Sequence, residues 1–126
     1  MGQDHTFDHE KLRVYQAALD FVVWTTDFLS EMDVKASFKD QLDRASTSVV
    51  LNIAEGNAKW TSNDRARFLR IAMGSALECA ACLDVAVAKK AIEAAKTVRG
   101  KELLRAVVAM LTGLLQDSAS RLREEP

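Results

Sequence analysis

Residues 37–56 read SFKDQLDRASTSVVLNIAEG, and this stretch decides the fold because its apolar side chains recur every three or four positions. The apolar stripe consists of Phe38, Leu42, Ala45, Val49 and Ile53. Such a period is typical of an amphipathic helix with one buried face. Ser37 followed by Asp40 resembles a capping box, and Gly56 stands where many helices end in a left-handed residue. We therefore predict a helix over residues 37–55.

Three further segments share this helical period and extend the pattern over the rest of the chain. Their stripes predict helices over residues 8–32, 62–90 and 99–123. The stripe in the first of these segments is Val14, Ala17, Phe21, Thr25, Phe28 and Met32. The next has Phe68, Ile71, Ala72, Ser75, Cys79, Cys82 and Ala86, and the last has Leu104, Val107, Val108, Leu111, Leu115, Ser118 and Leu122. Asp8 is the expected first N-cap, whereas residues 91–98 fit either a helix or a reversal.

The composition favours a few long helices in one domain. The 126 residues include 5 Gly and a single Pro, Pro126, whereas sheet-rich folds need many tight turns. Hydrophobic residues make up 48% and charged residues 28%, which is typical of a globular chain with one core. We therefore predict an all-α fold with one domain over residues 1–126, built as an antiparallel up-down-up-down four-helix bundle.

The charge is nearly balanced overall but unevenly distributed along the chain. The formal net charge of -1 argues against a protein whose whole surface grips nucleic acid. Residues 1–43 carry 4 basic and 9 acidic side chains, and residues 44–105 carry 11 basic and 6 acidic ones, so a local basic surface stays open. Neither a secretory signal nor an apolar run of about 18 residues is visible, which predicts a cytoplasmic protein without a membrane contact.

Candidate catalytic and metal-binding residues are few. His5 and His9 lie at the N-terminus, and we interpret them as solvated residues. Cys79 and Cys82 fall inside an apolar helix with no second ligand pair, and we interpret them as small buried side chains. No phosphate-binding loop, nucleophile elbow or zinc-protease motif occurs. We therefore predict no catalytic residue, no metal and no cofactor, and a protein that is not an enzyme.

A second apolar stripe on the first helix indicates self-association. It consists of Leu12, Tyr15, Leu19 and Val23, with Trp24 nearby. One stripe is enough to bury a helix in a bundle, so a second stripe leaves apolar surface that can form a subunit interface. This pattern predicts a homo-oligomer.

Polar residues form a stripe beside the apolar face of the second helix, consisting of Gln41, Arg44, Ser48, Asn52 and Glu55. With a turn centred near residues 59–60, antiparallel pairing places Arg44 opposite Ser75 and one turn from Glu78, which predicts a buried Arg44–Glu78 ion pair. Asn52 and Glu55 would form hydrogen bonds with backbone groups of the turn after Gly56. The whole predicted network, open to scaffolding or ligand binding, comprises Arg44, Ser48, Asn52, Glu55, Gly56, Ser75 and Glu78.

A basic cluster surrounds the turn between the second and third helices. It comprises Lys59, Trp60, Arg65, Arg67 and Arg70. Cations interleaved with an aromatic ring can hold a phosphate backbone and stack a base. A solvated helix face is the alternative interpretation, and Glu55 and Asp64 reduce the local charge. The cluster is a candidate nucleic-acid contact.

Three segments resemble one known family. Residues 45–56, ASTSVVLNIAEG, preceded by the basic Arg44, resemble the signature of the bacterial 23S rRNA intervening-sequence protein family, also called the four-helix-bundle protein family. Residues 67–78, RFLRIAMGSALE, are similar to a second segment of that family, and residues 12–18, LRVYQAA, are similar to its opening. These segments stand in the family's order and span most of the chain, whereas residues 89–100 and the fourth helix carry no signature.

The resemblance implies an antiparallel four-helix bundle that assembles as a ring-shaped pentamer. A related branch is the accessory protein of diversity-generating retroelements, which binds reverse transcriptase and nucleic acid through a basic surface. Two functions follow as hypotheses. The first is a non-enzymatic, homo-oligomeric scaffold for interactions, and the alternative is a nucleic-acid-binding accessory factor, for RNA or a reverse-transcriptase complex, that uses the basic turn. The resemblance carries over no catalytic residue.

Overall fold

The chain folds into four α-helices and two short 3-10 helices in the computed structural model, which describes residues 6–124 and the side chains of residues 6–117. The 3-10 helices are Asp8–Lys11 and Ala94–Thr97. The α-helices are α1 (Arg13–Glu31), α2 (Ala36–Asn57), α3 (Ser62–Ala88) and α4 (Val98–Glu124). The expected all-α four-helix fold is confirmed. The expectations for His5 and for the side chains of Ser118 and Leu122 lie outside the described residues.

The four helices pack side by side around one core. The closely packed pairs are α1 with α2, α2 with α3, α3 with α4, and α4 with α1. Each helix therefore lies beside its two neighbours, and α1 lies diagonally across from α3. Because the connections are short, consecutive helices run antiparallel, and the α2–α3 turn lies at the opposite end of the bundle from the α1–α2 and α3–α4 turns.

The core is built from the helical stripes that face inward. On α2, four of the five stripe residues are buried and Phe38 is half-buried. On α3 the expected core position of Ile71 is wrong, because its side chain is 45% exposed on the outer surface. Thr25 on α1 is buried, and its hydroxyl has no hydrogen-bond partner among the described residues. An unpaired buried hydroxyl costs free energy, so this core is not fully optimised for stability.

Gly56 does not end α2 in the left-handed conformation that the sequence pattern predicts. It lies inside the helix and is buried, and no described glycine has a positive φ. A Cβ atom at Gly56 would lie 3.2 Å from the Cβ of Phe68 and 3.4 Å from the carbonyl oxygen of Arg65. The glycine is therefore needed because α2 and α3 approach closely here, not because the chain turns.

The helix starts differ from the predicted ones in their capping. Leu12 is the N-cap of α1 and Lys35 that of α2, both without a side-chain cap, so the caps predicted at Asp8 and Ser37 are wrong. Instead, Asp8 opens a 3-10 helix ahead of α1. Thr61 caps α3, since its hydroxyl accepts a hydrogen bond of 3.1 Å from the backbone N–H of Asp64.

The ambiguous stretch 91–98 forms the reversal between α3 and α4. Helix α3 ends at Ala88, and Lys90 takes a positive φ of 60° that turns the chain. The backbone N–H of Ala91 then donates to the carbonyl of Ala86 at 2.9 Å, which satisfies an otherwise unpaired helix end. A turn of 3-10 helix leads directly into α4.

Helix α3 is long and apolar enough to cross a membrane by length and composition alone, and it is the one such helix in the described part of the chain. The sequence predicted no membrane-spanning segment, because it contains no uninterrupted apolar run of about 18 residues. In α3 the charged residues Glu78 and Asp84 interrupt the apolar sequence. Core helices of soluble proteins pass the same test. Such core helices are mostly buried, whereas only 33% of the most apolar 18-residue segment of α3 is buried inside the bundle.

Trp24 fixes the contact between α1 and the start of α4. Its ring is stacked with Phe21 at 5.8 Å and with Phe28 at 4.6 Å between centroids. The far edge of the ring covers Gly100, which is buried. A Cβ atom at Gly100 would overlap this ring, with the Cζ2 atom of Trp24 only 2.8 Å away. The flanking rings leave the indole little room to move aside.

We expect Gly100→Ala to lower the free energy of unfolding by about 1–2 kcal/mol, because overpacking outweighs the better helix propensity of alanine. Chemical denaturation measures this change. Trp24→Phe shortens the ring, so the double variant Gly100→Ala/Trp24→Phe should lose less stability than the two single losses combined. Additive losses would contradict a contact between these two residues.

Candidate functional site

A small polar joint connects α2 and α3 on the outer side of the core. The hydroxyl oxygens of Ser48 and Ser75 lie 2.8 Å apart. The side-chain amide of Asn52 donates to the carbonyl of Ser48 at 2.8 Å and to its hydroxyl at 3.1 Å. All three side chains are partly buried, so each bond replaces one that water would otherwise make. This arrangement positions two helices and leaves no free donor set aimed at a ligand.

The predicted buried ion pair between Arg44 and Glu78 is wrong. The Arg44 side chain is 79% exposed, and its Nε lies 3.2 Å from the Oδ2 of Asp40 on the same helix. Ser75 faces Ser48 rather than Arg44, which is a shift of one helical turn along α2. The shift arises because the first turn of α3 extends beyond the end of α2, so that Gly56 faces residues 65–69.

The basic cluster at the α2–α3 turn divides into a structural part and an exposed part. The Nε of Arg65 donates to the carbonyl of Lys59 at 2.8 Å, so this arginine braces the turn. The Nζ of Lys59 lies 4.9 Å from the ring centroid of Phe68 and 4.0 Å from the Oε1 of Glu55. These contacts leave Lys59 and Arg65 half-buried.

The exposed part of the cluster consists of Trp60, Arg67 and Arg70. Trp60 is 97% exposed, which is far more than an aromatic ring usually shows on an isolated domain. Arg67 covers one face of Phe68 at 4.9 Å and is otherwise exposed, as is Arg70. Two cations and one free aromatic face therefore lie at one end of the bundle.

A cluster of aromatic side chains that the sequence pattern did not indicate lies near the same end of the bundle. The Phe7 ring is stacked with the His9 ring at 5.9 Å, and His9 meets Tyr15 edge-on at 4.7 Å. The amide of Asn57 donates to a carboxylate oxygen of Asp8 at 2.9 Å and so ties this segment to α2. His9 is half-buried, so its interpretation as a solvated residue is wrong. The short segment lacks a helical period, and therefore gave no signal in the sequence.

The two cysteines are buried in the core, as the sequence indicates. Burial raises the pKa of the Cys79 thiol to about 12, and burial also raises the pKa of Cys82, with the Glu78 carboxylate adding to both shifts. Thiols held in the neutral form are poor nucleophiles and poor metal ligands. Within the described residues, no group of three or more His, Cys, Asp or Glu side chains could hold a metal ion.

The second apolar stripe of α1 is mostly covered within the chain itself. Three of its four residues, Leu12, Tyr15 and Leu19, are half-buried and pack against the core, as does the nearby Trp24. Val23, at 62% exposed, is the exception. The large apolar side chains left outside on α3 are Ile71 at 45%, Leu77 at 53% and Val85 at 48% exposed. The outward apolar surface therefore lies chiefly on α3, where the sequence analysis had not placed it.

Comparisons with known proteins agree with this fold. A family model described as the 23S rRNA-intervening sequence protein matches residues 10–113. A crystal structure of a protein with unknown function from the S23 ribosomal protein family, from Bacteroides thetaiotaomicron, is similar with a TM-score of 0.74. The two chains are 21% identical, and the similarity covers 81% of this chain and 97% of that one. No curated protein sequence matches significantly. Because the family match covers most of the bundle, the chain belongs to the 23S rRNA-intervening sequence protein family.

Proposed function

We propose that the chain is a non-enzymatic scaffold that assembles into a homo-oligomeric ring of five copies in the cytoplasm. The observation that carries the proposal is the outward apolar surface of α3, which the described residues leave exposed. Soluble monomers rarely leave a contiguous apolar strip facing water, and such strips mark interaction sites. The number five follows from the resemblance described above.

The chemistry of the described side chains supports a binding role rather than catalysis. Catalysis needs a cleft with convergent titratable or nucleophilic groups. Here the two thiols are buried within the core, and the serine and asparagine side chains of the α2–α3 joint bond to one another or to the backbone. The arrangement offers surfaces rather than a reaction centre.

The proposal predicts a particle mass of about 70 kDa for a ring of five, since one chain has a mass of 13.9 kDa. Light scattering on the purified protein at micromolar concentration measures this mass. Assembly buries the apolar strip, so the mass should hold over moderate dilution. A mass of one chain would contradict the proposal, and another multiple would retain the scaffold but change the number of copies.

A second candidate function is nucleic-acid binding at the α2–α3 turn. The free face of Trp60 and the exposed cations of Arg67 and Arg70 favour it, because stacking and phosphate contacts combine in proteins that bind single strands. In a ring of five, this end would repeat around the axis, and the fields of the repeated cations would add. The balanced net charge of -1 confines any such contact to this end.

If this second function is correct, binding of structured RNA or duplex DNA should weaken steeply with added salt, because bound phosphates release counterions. The double variant Arg67→Glu/Arg70→Glu should abolish binding, and Trp60→Ala should weaken binding to single strands by about 1–3 kcal/mol. Fluorescence anisotropy at several salt concentrations measures both effects.

A matched control reverses two charges at the opposite end of the bundle, with Lys35→Glu/Lys96→Glu, and should bind as the unmodified chain does. Arg65 is left unchanged because it braces the turn. Flat, negligible binding at low salt, or equal losses in the two double variants, would exclude a specific contact at this turn.

A further inference from the structure

A shallow groove crosses the outward face of α2 near its C-terminal end, with an open volume of about 520 Å³. Helix α2 lies between α1 and α3, so the groove has the His9 ring at one end and the Phe68 ring at the other. The floor between the two rings is formed by α2, with Leu51, Asn52, Ala54 and Glu55. A groove of this size can take one small organic ligand or one unit of a polymer.

The polar atoms of the groove floor are hydrogen-bond acceptors. The amide nitrogen of Asn52 donates to Ser48, whereas its amide oxygen receives no hydrogen bond from the described residues. The side chain of Glu55 is 53% exposed, and the Nζ of Lys59 lies 4.0 Å from its Oε1, which is beyond hydrogen-bond distance. Asn52 and Glu55 stand three positions apart and so share one face of α2. The floor therefore offers a carboxylate and an amide oxygen to a ligand that carries N–H groups.

Cations border the same groove on the side of α3. The Nζ of Lys59 and the guanidinium carbon of Arg67 each lie 4.9 Å from the centroid of the Phe68 ring. Arg70 is exposed one turn further along α3. A cationic side chain of a protein partner could pair with Glu55 but would be repelled by these charges, whereas a phosphate group would be attracted. The groove therefore suits a ligand that carries both N–H groups and a negative charge.

We infer that the groove binds one nucleotide of a single strand, with its base on α2 and its phosphate at the α3 edge. The inference rests on the second candidate function and names the nucleotide that this site takes. A flat base suits the lining of Leu51, Ala54 and the His9 ring, and its N–H groups suit the acceptors of the floor. The phosphate suits the cations beside Phe68. In a duplex the N–H groups of the base are already paired, so the strand is single at this point.

The carboxylate of Glu55 selects guanine among the four bases. The Watson–Crick edge of guanine carries two adjacent donors, N1–H and N2–H, which match the two carboxylate oxygens in a bidentate pair. Adenine and cytosine place an acceptor nitrogen beside their amino group, and uracil places a carbonyl on each side of its one N–H group. Each of these acceptors would face a carboxylate oxygen and be repelled. Guanine is therefore the base that fits.

Fluorescence anisotropy with labelled RNA octamers tests the inference, using octauridine and the same octamer with one central guanosine, inosine or adenosine. Inosine keeps the N1–H of guanosine but lacks its amino group. The guanosine octamer should bind about tenfold more tightly than the uridine and adenosine octamers, with the inosine octamer between them, because one bidentate base contact discriminates to this extent. Glu55→Gln should remove the preference for guanosine, because an amide presents one acceptor to two donors.

Asp43→Asn is the matched control, because it also removes one exposed carboxylate from α2 but lies outside the groove. This variant should keep the preference for guanosine. Equal binding of the four octamers would overturn the inference and leave nucleic-acid binding at the turn intact. A preference that Glu55→Gln retains, or that Asp43→Asn loses, would overturn the assignment of the groove. If no octamer binds at low salt, the inference and the second candidate function both fail.

Discussion

The close approach of α2 and α3 at Gly56 is the constraint on which the rest of the structure depends. Phe68 and the backbone of Arg65 occupy the space that a side chain at this position would need. Two turns away, the hydroxyls of Ser48 and Ser75 meet at 2.8 Å and fix the same pair of helices a second time. One such bond contributes only about 1 kcal/mol, so its main effect is on register rather than on stability.

This tight pairing determines which surface α3 leaves outside. With Phe68 and Ser75 turned toward α2 and with Leu69 and Leu83 buried in the core, the helix presents Ile71, Leu77 and Val85 to solvent. This exposed surface is mainly apolar, although it includes Glu78 and Asp84, and cations border it at both ends. The pairing of α2 and α3 and the exposed strip are therefore two consequences of one sequence pattern, and the proposed assembly would use this strip as its contact surface.

Much of this fold could be predicted from the sequence, because burial of one helix face requires apolar residues at every third or fourth position, and their order along the chain displays this period. The contacts between helices were harder to predict, because they depend on which residues of two neighbouring helices lie at the same height. Ser75 faces Ser48 and not Arg44, because the path of the turn moves α3 by one helical turn, and no local pattern records that path. The interpretation of Gly56 failed for a related reason: a glycine near a helix end serves a turn or a close approach, and only the distance to Phe68 distinguishes them.

The central claim is that a second copy of the chain covers the outward face of α3. Hydroxyl-radical footprinting of the assembled protein, read by mass spectrometry, measures the solvent access of individual side chains. In a single chain Leu77, Val85 and Val23 are similarly exposed, at 53%, 48% and 62%. The account predicts that Leu77 and Val85 are protected in the assembly while Val23 is labelled freely. Equal labelling of the three side chains would contradict it.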